Sequence, residues 1–479
     1  MNPNHTKAVW AYFDAITQIP RPSKKEQRIS QFLIDFAAKH QLAIKSDAVG
    51  NLLITKSATD RKQDSPVVAL QAHLDMVCEK NNDCEHDFET DPIISYIDGD
   101  WVKARGTTLG ADNGIGIAMI MAVLASNDIE HPGLECLFTV DEESGLTGAF
   151  ALKPDFLTAK ALINLDSEDD GEVFVGCAGG MDTVAKLPYS TENVPNNYFG
   201  FSLSLSGLVG GHSGDDIHRG LGNSIILISR FLNHINQQTD LRINHFEGGN
   251  LRNAIPREAK VIGMVPYGFK ETLRVQLNIF LSETETEYAL TEPKMQWELG
   301  SELEIECVIE KSISDKLLNG LASCPNGVIA MSEQMQDLVE TSTNLASVKM
   351  KDDFIEIVSS QRSSVNASRQ SIASEVGLYF SNMGAEVIHS DGYPGWEPNL
   401  DSPLLQVAVE SYERINKTSP KVKAIHAGLE CGLFKENYPD MDMISIGPTI
   451  RGAHSPDERL SISSTENTWQ WLVEILQSI

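Results

Sequence analysis

Three apolar segments, each followed by residues that can bind a metal, constrain the fold of this chain most strongly. The segments are 66–70, 134–140 and 161–165, and the residues that follow them are His73 and Asp75, Asp141 to Glu143, and Asp166. Such runs of Val, Ile and Leu predict buried strands. Helical patterns between them indicate an α/β sheet. Because ligands bind beyond the carboxyl ends of the strands in such sheets, we expect a functional site there.

The first of these ends carries the triplet His73-Leu74-Asp75. Alternate residues of a strand point to the same side, so the imidazole and the carboxylate are expected to lie together. A neutral imidazole binds zinc well, and a neighbouring carboxylate fixes its tautomer. A His-x-Asp triplet alone is more often incidental, so a metal site requires further partners.

Those partners occur at the other predicted strand ends and loops. The full set is His73, Asp75, Asp112, Asp141, Glu142, Glu143, Asp166 and His454. Two imidazoles and several carboxylates suit two zinc-like ions that share one carboxylate better than they suit a single ion. Paired metals are a recurrent solution for hydrolysis, which also needs a carboxylate that moves protons without binding metal. Of the adjacent Glu142 and Glu143, one can bind metal while the other moves protons. Any one of these acids alone could instead be a capping or salt-bridged surface residue.

The sequence pattern changes between about residues 186 and 390, where apolar and polar residues alternate as in half-exposed strands. We therefore expect an α/β catalytic domain, with a mixed sheet flanked by helices, made of residues 1–185 and 391–479. An inserted α+β domain, 186–390, interrupts it. Within the insertion, Gly210-Gly211-His212-Ser213-Gly214 is expected to end a strand and open a helix. His212 could donate to an oxyanion there. A glycine turn capped by Ser213 explains the segment equally well.

Composition limits the possible partners and the compartment. The chain has 67 acidic and 38 basic residues, and its formal charge of −29 argues against nucleic acid and anionic membranes as partners. Seven scattered cysteines without a Cys-x-x-Cys pair indicate reduced thiols in the cytoplasm. Cys78 and Cys84 are weaker ligand candidates, since their spacing is not that of a zinc knuckle. The N-terminal segment lacks an apolar region and no run of 18 apolar residues occurs, so we expect neither a signal peptide nor a membrane helix.

The motifs together resemble a dizinc metallopeptidase family that includes aminoacylases, carnosinases and succinyl-diaminopimelate desuccinylases. The matching motifs are Ala72-His73-Leu74-Asp75, Gly110-Ala111-Asp112-Asn113-Gly114, Asp141-Glu142-Glu143-Ser144-Gly145, Gly210-Gly211-His212-Ser213-Gly214 and Gly452-Ala453-His454-Ser455. The longer stretches 71–80, 108–116 and 426–432 are similar to the bacterial dipeptidases of that family. The motifs occur in order over nearly the whole chain. The large insertion also fits the dipeptidases.

The resemblance implies a role for each candidate residue. One zinc ion would be bound by His73, Asp112 and Asp166, and a second by Asp112, Glu143 and His454. Glu142 would be the general base and acid, and Asp75 would orient His73. The implied cofactor is two Zn²⁺ per chain, with Co²⁺ or Mn²⁺ as substitutes.

The resemblance also implies how the substrate is bound. The inserted domain would be a lid that also forms a homodimer, and His212 would reach an active site from it, in its own chain or across the dimer. Asn253 and Arg362 match substrate-binding positions, and Glu430 would lie near the substrate's free amine. Arg362 is chemically suited to bind a carboxylate through two hydrogen bonds, although an ordinary surface arginine at a strand end is an equal alternative from the sequence alone.

The expected function is therefore the hydrolysis of unblocked dipeptides, including Xaa-His dipeptides such as carnosine. Two alternatives remain at this point. One is an N-acyl amino acid hydrolase of the same family, and the other is a non-catalytic dimeric binding protein on the same scaffold. The intact set from His73 to His454, with Glu142 present, argues against the second.

Overall fold

The computed structural model describes residues 3–302 and 304–479; Met1 and Asn2, at the start of the N-terminal segment, and Leu303 lie outside the described residues. The chain forms two compact units. The first comprises residues 3–177, 396–424 and 429–479, and the second comprises 178–395 and 425–428. The second unit starts before the expected boundary at 185/186, because the strand Gly179–Pro188 belongs to its sheet. It also extends past the expected boundary at 390/391, as far as residue 395.

An eight-stranded mixed sheet forms the centre of the first unit. Its strands, in spatial order, are Ala43–Ser46, Leu52–Lys56, Leu134–Thr139, Val68–His73, Ala161–Asn164, Asp442–Ser445, Glu172–Cys177 and Lys421–Ile425. A separate four-stranded antiparallel sheet contains Ile450–Arg451, Arg459–Ser461, Trp101–Ala104 and Ser95–Asp98. The helices are Pro3–Thr17, Gln27–Lys39, Ala111–Ala125, Glu142–Gly145, Thr147–Ala151, Pro403–Asn416, Glu430–Asn437 and Ile462–Ser478, with a 3₁₀ turn at Asp60–Lys62.

The central strands of this sheet are parallel. Val68–His73 pairs in parallel with both Leu134–Thr139 and Ala161–Asn164, so the three strands predicted from the apolar segments are confirmed and their carboxyl ends lie at one edge. Every residue of Val68–His73 and Leu134–Thr139 is buried, as expected for parallel strands covered on both faces. The covering helices are correspondingly apolar: Ala111–Ala125 is buried almost all round, and Trp469 and Trp471 of the last helix are fully buried.

The second unit is built on an antiparallel sheet. Its main path, in spatial order, is Gln296–Ser301, Tyr198–Ser206, Ala259–Pro266, Arg242–Gly248, Val339–Met350, Phe354–Ser363, Gly179–Pro188 and Glu386–His389, and Gly327–Met331 pairs with Val339–Met350. Two short pairs join Thr191–Asn193 to Cys307–Ile309 and Gly211–His212 to Ala254–Ile255. The helices are Ser224–Asn236, Lys270–Glu287, Lys311–Ala322 and Asn366–Asn382, with 3₁₀ turns at Ile217–Arg219 and Tyr267–Phe269.

Alternation along these strands explains the half-exposed pattern of the sequence. In Tyr198–Ser206, for example, Phe201, Leu203 and Leu205 are buried while the serines between them are partly exposed. The buried side chains join those of the helix Ser224–Asn236 in one apolar core. The predicted fold class, an α/β unit with a mixed sheet and a separate α+β unit, is confirmed.

The spacing of Ser23 and Glu26 is that of a capping box and predicts that Ser23 caps the second helix. This prediction is wrong, because the helix begins at Gln27 and no side chain caps it. The Ser23 hydroxyl instead donates to Asp75 Oδ2 over 2.7 Å, and Glu26 Oε1 accepts hydrogen bonds from the backbone N–H groups of Lys24 and Asp141. Both side chains are used for contacts distant in sequence, which a local pattern does not reveal.

Among the described residues, no helix combines the length and apolar content needed to cross a bilayer.

Candidate active site

The carboxyl edge of the parallel strands brings together the metal-ligand candidates of the first unit. His73 is the last residue of its strand, Asp166 follows the strand Ala161–Asn164, and Glu143 lies on the four-residue helix Glu142–Gly145. Asp112 lies at the start of the helix Ala111–Ala125, where its backbone is non-helical and its peptide bond to Asn113 is cis. His454 lies in the loop before Arg459–Ser461 with φ +62°.

Asp112 lies between two groups of ligand atoms. Its Oδ1 is 3.0 Å from His73 Nε2, and the same nitrogen is 3.3 Å from Asp166 Oδ1. Its Oδ2 is 3.2 Å from His454 Nε2, which is 3.0 Å from Glu143 Oε2. The two oxygens of one carboxylate thus face two different imidazoles, one on each side.

The donor set fits divalent cations. One ligand atom each from His73, Asp112 and Glu143 lies within 4.8 Å of the others. Glu143 Oε1 is buried and accepts no hydrogen bond from the described residues. Burial raises the pKa of both Glu143 and Asp166, whereas hydrogen bonds to Asp112 and Glu143 raise the pKa of His454 to about 11. Buried carboxylates that outnumber the imidazoles are an environment in which cations are stabilised.

Asp75 ties two of the ligand-bearing segments together. Its Oδ1 lies 3.4 Å from His73 Nδ1 and accepts the backbone N–H of Glu142 at 3.0 Å, and its Oδ2 accepts that of Glu143 at 3.1 Å. Burial opposes its ionisation, but the hydrogen bonds and the charge of His73 hold the pKa of Asp75 well below its usual range. The carboxylate therefore stays ionised and can hold the His73 ring.

Glu142 is buried beside three other carboxyl groups. Burial, together with the negative charges of Asp166, Glu430 and Glu143, raises the pKa of Glu142 well above its usual value. A raised pKa makes the carboxylate of Glu142 a stronger base than that of an exposed glutamate.

Glu430 is 1% exposed and is the first residue of the helix Glu430–Asn437. Its Oε2 accepts hydrogen bonds from Gln71 Nε2 at 2.6 Å and from Thr139 Oγ1 at 2.9 Å. Its Oε1 accepts none from the described residues, and burial raises the pKa of the group to about 8. Glu430 thus keeps one buried oxygen available for a donor.

The second unit contains a cationic cluster centred on Arg362. The guanidinium donates from Nη1 to the Tyr393 hydroxyl at 2.9 Å and from Nε to Ser213 Oγ at 3.4 Å, and its Nη2 lies 3.4 Å from His212 Nε2. His426 is buried beside it; burial and the charge of Arg362 lower the pKa of His426 to about 3, so this imidazole is neutral.

Asn253 lines a cavity of about 290 Å³ together with Arg362 and Tyr393. The side chain of Arg362 is itself 6% exposed, so the alternative of an ordinary surface arginine does not apply. The structure therefore brings together three of the four candidate substrate-binding residues within the second unit, His212, Asn253 and Arg362, while Glu430 lies in the first.

The prediction that a helix opens directly after His212 was wrong. His212 lies on the two-residue strand Gly211–His212, and the helix begins only at Ser224. Asn223, and not Ser213, caps that helix by accepting from the N–H groups of Ile225 and Ile226. His212 therefore lies on a short strand and does not open a helix.

Several residues around the two clusters had no role in the sequence analysis. They are Arg21, Asn113, Tyr393, His426 and Glu458. Asn113, His426 and Glu458 lie in or beside recognised motifs, which was a usable signal. Arg21 and Tyr393 lie beside prolines in segments without a ligand pattern, and their importance comes from hydrogen bonds to residues distant in sequence, which the sequence does not display.

The sequence model of the peptidase family M20/M25/M40 matches residues 69–478 of this chain. This range includes the metal-ligand residues and the cluster around Arg362. The chain belongs to this peptidase family. The resemblance drawn from the motifs is thereby confirmed, and the match extends across the insertion.

Two relatives of the M20 family cover almost the whole chain. The cytosol non-specific dipeptidase of Escherichia coli K12 is 44% identical over 471 residues, which are 98% of this chain and 97% of that protein. The crystal structure of the aminoacylhistidine dipeptidase from Vibrio alginolyticus superimposes with a TM-score of 0.92 at 41% identity, covering 100% of this chain and 97% of that one. The aminopeptidase PepT of Bacillus cereus, 16% identical with a TM-score of 0.58 over 99% of this chain and 98% of that one, shares the fold.

Proposed function

We propose that this protein is a dinuclear metallodipeptidase that hydrolyses unblocked dipeptides, including Xaa-His dipeptides such as carnosine. The observation that carries the proposal is the position of Asp112, whose two carboxylate oxygens lie 3.0 and 3.2 Å from the imidazoles of His73 and His454. Membership of a peptidase family and the names of two relatives more than 40% identical support the reaction class.

The proposed metal ligands form two sets that share Asp112. They are His73, Asp112 and Asp166 for one ion, and Asp112, Glu143 and His454 for the other. Zinc is the metal that we expect, with Co²⁺ or Mn²⁺ as substitutes, because imidazole and carboxylate donors suit all three. Paired divalent metals lower the pKa of water and polarise a carbonyl group.

Glu142 is the proposed general base and acid. The raised pKa of this buried carboxyl group allows it to take the proton from the attacking water and to give it to the leaving amine. Asp75 would support the reaction indirectly, because its carboxylate lies 3.4 Å from His73 Nδ1 and so favours the ring orientation in which Nε2 faces Asp112 and Asp166.

We propose a binding partner for each of the substrate's two charged ends. The Arg362 guanidinium, with Asn253 beside it, suits the C-terminal carboxylate, and the available oxygen of Glu430 suits the free ammonium group. His212 is the proposed donor to the oxyanion, acting in its own or in a partner's active site. Recognition of both ends would select dipeptides over longer or blocked peptides.

A homodimer formed through the inserted domain and a cytoplasmic location complete the proposal. The scattered cysteines without a Cys-x-x-Cys pair support a reducing compartment, and the Escherichia coli relative is named a cytosol enzyme. The charge of −29 offers no attraction to nucleic acid or to an anionic membrane.

A substrate comparison tests this function. The zinc-loaded protein is given β-Ala-His, the C-terminal amide of the same dipeptide, and an N-acetyl amino acid. We expect cleavage of β-Ala-His and much slower cleavage of the other two compounds. Cleavage of the acylated amino acid alone would identify an N-acyl amino acid hydrolase. Failure to cleave any member of a broad dipeptide panel would leave a non-catalytic binding protein.

A further inference from the structure

Two buried charged residues contact the backbone of the metal-ligand loops and have no role in the proposed chemistry. Arg21 and Glu458 are each 2% exposed. Arg21 lies between the first two helices, and Glu458 lies four residues after His454. Burying a charged side chain is costly unless it is paired and hydrogen-bonded, so the contacts of these two residues indicate what they stabilise.

Glu458 holds the segment that leads into Asp112. Its Oε2 accepts the backbone N–H groups of Leu109 at 2.6 Å and Gly110 at 2.9 Å, and its Oε1 accepts those of Ala111 at 2.8 Å and Asp112 at 3.3 Å. Four consecutive N–H groups thus converge on one carboxylate. Because Glu458 belongs to the same loop as His454, it fixes the backbone of Asp112 relative to that loop.

Arg21 joins the same segment to the end of the strand that carries His73. Its Nη1 donates to the carbonyl oxygen of Leu74 at 2.9 Å and to that of Asp75, and its Nη2 donates to the carbonyl oxygen of Gly110. The planar guanidinium spans both segments, which a single ammonium group does not do.

Glycines make room for this contact. A Cβ atom at Gly110 would lie 2.7 Å from Arg21 Nη2, and one at Gly114 would lie 2.9 Å from the same atom. Gly110 also has φ +68°, a conformation that favours glycine. The glycines of the Gly110-Ala111-Asp112-Asn113-Gly114 motif are therefore explained by the guanidinium packed against them.

We propose that Arg21 and Glu458, which we call the loop clamp, are positioning residues that set the spacing of His73, Asp112 and His454 and thereby the affinity for the metal pair. The inference rests on the proposed function, since it assumes that these three residues bind metal. The hydrogen bonds that the structure describes for both clamp residues go to backbone groups of the ligand loops, so each residue acts through that backbone.

The first experiment compares Glu458→Gln with the matched control Glu135→Gln. Glu135 is also buried, and it accepts the N–H groups of Thr158 and Ala159 at 2.8 and 2.9 Å, near the start of its strand and away from the ligand loops. Both variants replace a buried carboxylate that accepts backbone hydrogen bonds, so both should lower the melting temperature. Only Glu458→Gln should weaken zinc binding, by roughly 10- to 100-fold, as loss of residues that support metal ligands does.

Zinc affinity is measured on the full-length protein by competition with a chromogenic chelator, independently of turnover. At saturating zinc, we expect a lower kcat for Glu458→Gln with KM for β-Ala-His unchanged. Arg21→Lys is the second variant and keeps the proposal testable if Glu458→Gln does not fold. It retains the charge but loses the second arm of the guanidinium, and it should also weaken zinc binding.

The outcomes distinguish a failure of the loop-clamp proposal from a failure of the proposed function. Wild-type zinc affinity in both Glu458→Gln and Arg21→Lys would overturn the clamp while leaving a zinc-dependent wild-type dipeptidase intact. Equal weakening by Glu135→Gln would also overturn it, because the effect would then follow from lost stability alone. Failure of the wild-type protein to bind zinc would overturn the proposed function and the clamp together.

Discussion

The metal-ligand cluster of the first unit and the cationic cluster of the second are built in opposite ways. The first gathers carboxylates around two imidazoles, on loops tied through their backbone by Asp75, Arg21 and Glu458. The second gathers His212, Ser213 and Tyr393 around the Arg362 guanidinium through side-chain contacts, two of which are as long as 3.4 Å. The carboxylate-rich cluster suits cations, and the cationic cluster suits a carboxylate. Changes in the first should therefore alter metal binding and chemistry, and changes in the second should alter substrate binding.

The largest effect is expected for Glu142→Ala. Loss of a general acid–base group lowers kcat by roughly 10²- to 10⁴-fold, and the metal should be retained because Glu142 is not a proposed ligand. Elemental analysis of the purified variant, beside Glu143→Ala as the control that loses a ligand, checks this. Near-complete metal loss in Glu142→Ala would contradict the assignment.

His212→Ala should come next. Removal of an oxyanion donor costs roughly 10²-fold or more in kcat, and the metal content should not change because His212 belongs to the cationic cluster. Steady-state kinetics with β-Ala-His measures the loss. An unchanged kcat would remove His212 from the active site.

Arg362→Ala should mainly raise KM for dipeptides. A hydrogen bond to a charged group contributes about 1.5–3 kcal/mol, which corresponds to roughly a 10- to 100-fold higher KM. Substrates that lack the C-terminal carboxylate should be affected much less, and Arg362→Lys should restore part of the binding. An equal effect on both kinds of substrate would instead indicate a structural role for Arg362.

The smallest effect is expected for His426→Gln, and it should concern only the free energy of unfolding. The pKa of His426, about 3 in the folded protein, lies below the unfolded value near 6.5, so the unfolded state binds the extra proton between these two values. The free energy of unfolding therefore falls as the pH drops below about 6.5. Chemical unfolding of the wild type and of His426→Gln at pH 6.5, 5.5 and 4.5 should show a weaker pH dependence in the variant. Identical pH profiles would contradict a neutral buried His426.

The metal-ligand cluster could be predicted from the sequence more fully than the cationic cluster. His73, Glu143 and Asp166 follow strand ends, which a period-two pattern and the rule of carboxyl ends locate, whereas Asp112 and His454 lie within short motifs that resemble those of the family. The cationic cluster depends on contacts between residues as distant as Ser213 and Arg362, and no local pattern encodes them. The same limit applies to Ser23 and to the segment after His212. The Ser23 hydroxyl donates to Asp75 and the Ser213 N–H donates to the carbonyl oxygen of Asn253, in place of the local contacts that the patterns predict.

The clamp residues illustrate the limit most clearly. Arg21 and Glu458 look like ordinary surface charges in the sequence, and charged residues are almost never fully buried without partners. Their partners are backbone groups at Leu74, Gly110 and Asp112, which carry no sequence signature. The glycines at 110 and 114 were the available signal, but their reason appears only once the guanidinium is placed.

The most direct test of the two-metal site is a zinc titration of the metal-free protein, with β-Ala-His hydrolysis followed at each addition. The position of Asp112 between the two imidazoles predicts that activity rises until two zinc ions are bound per chain and then stays constant. In Asp112→Ala, both ions should bind weakly, because the shared ligand is lost. A plateau at one zinc ion per chain in the wild type, or tight binding of two zinc ions by Asp112→Ala, would contradict the account.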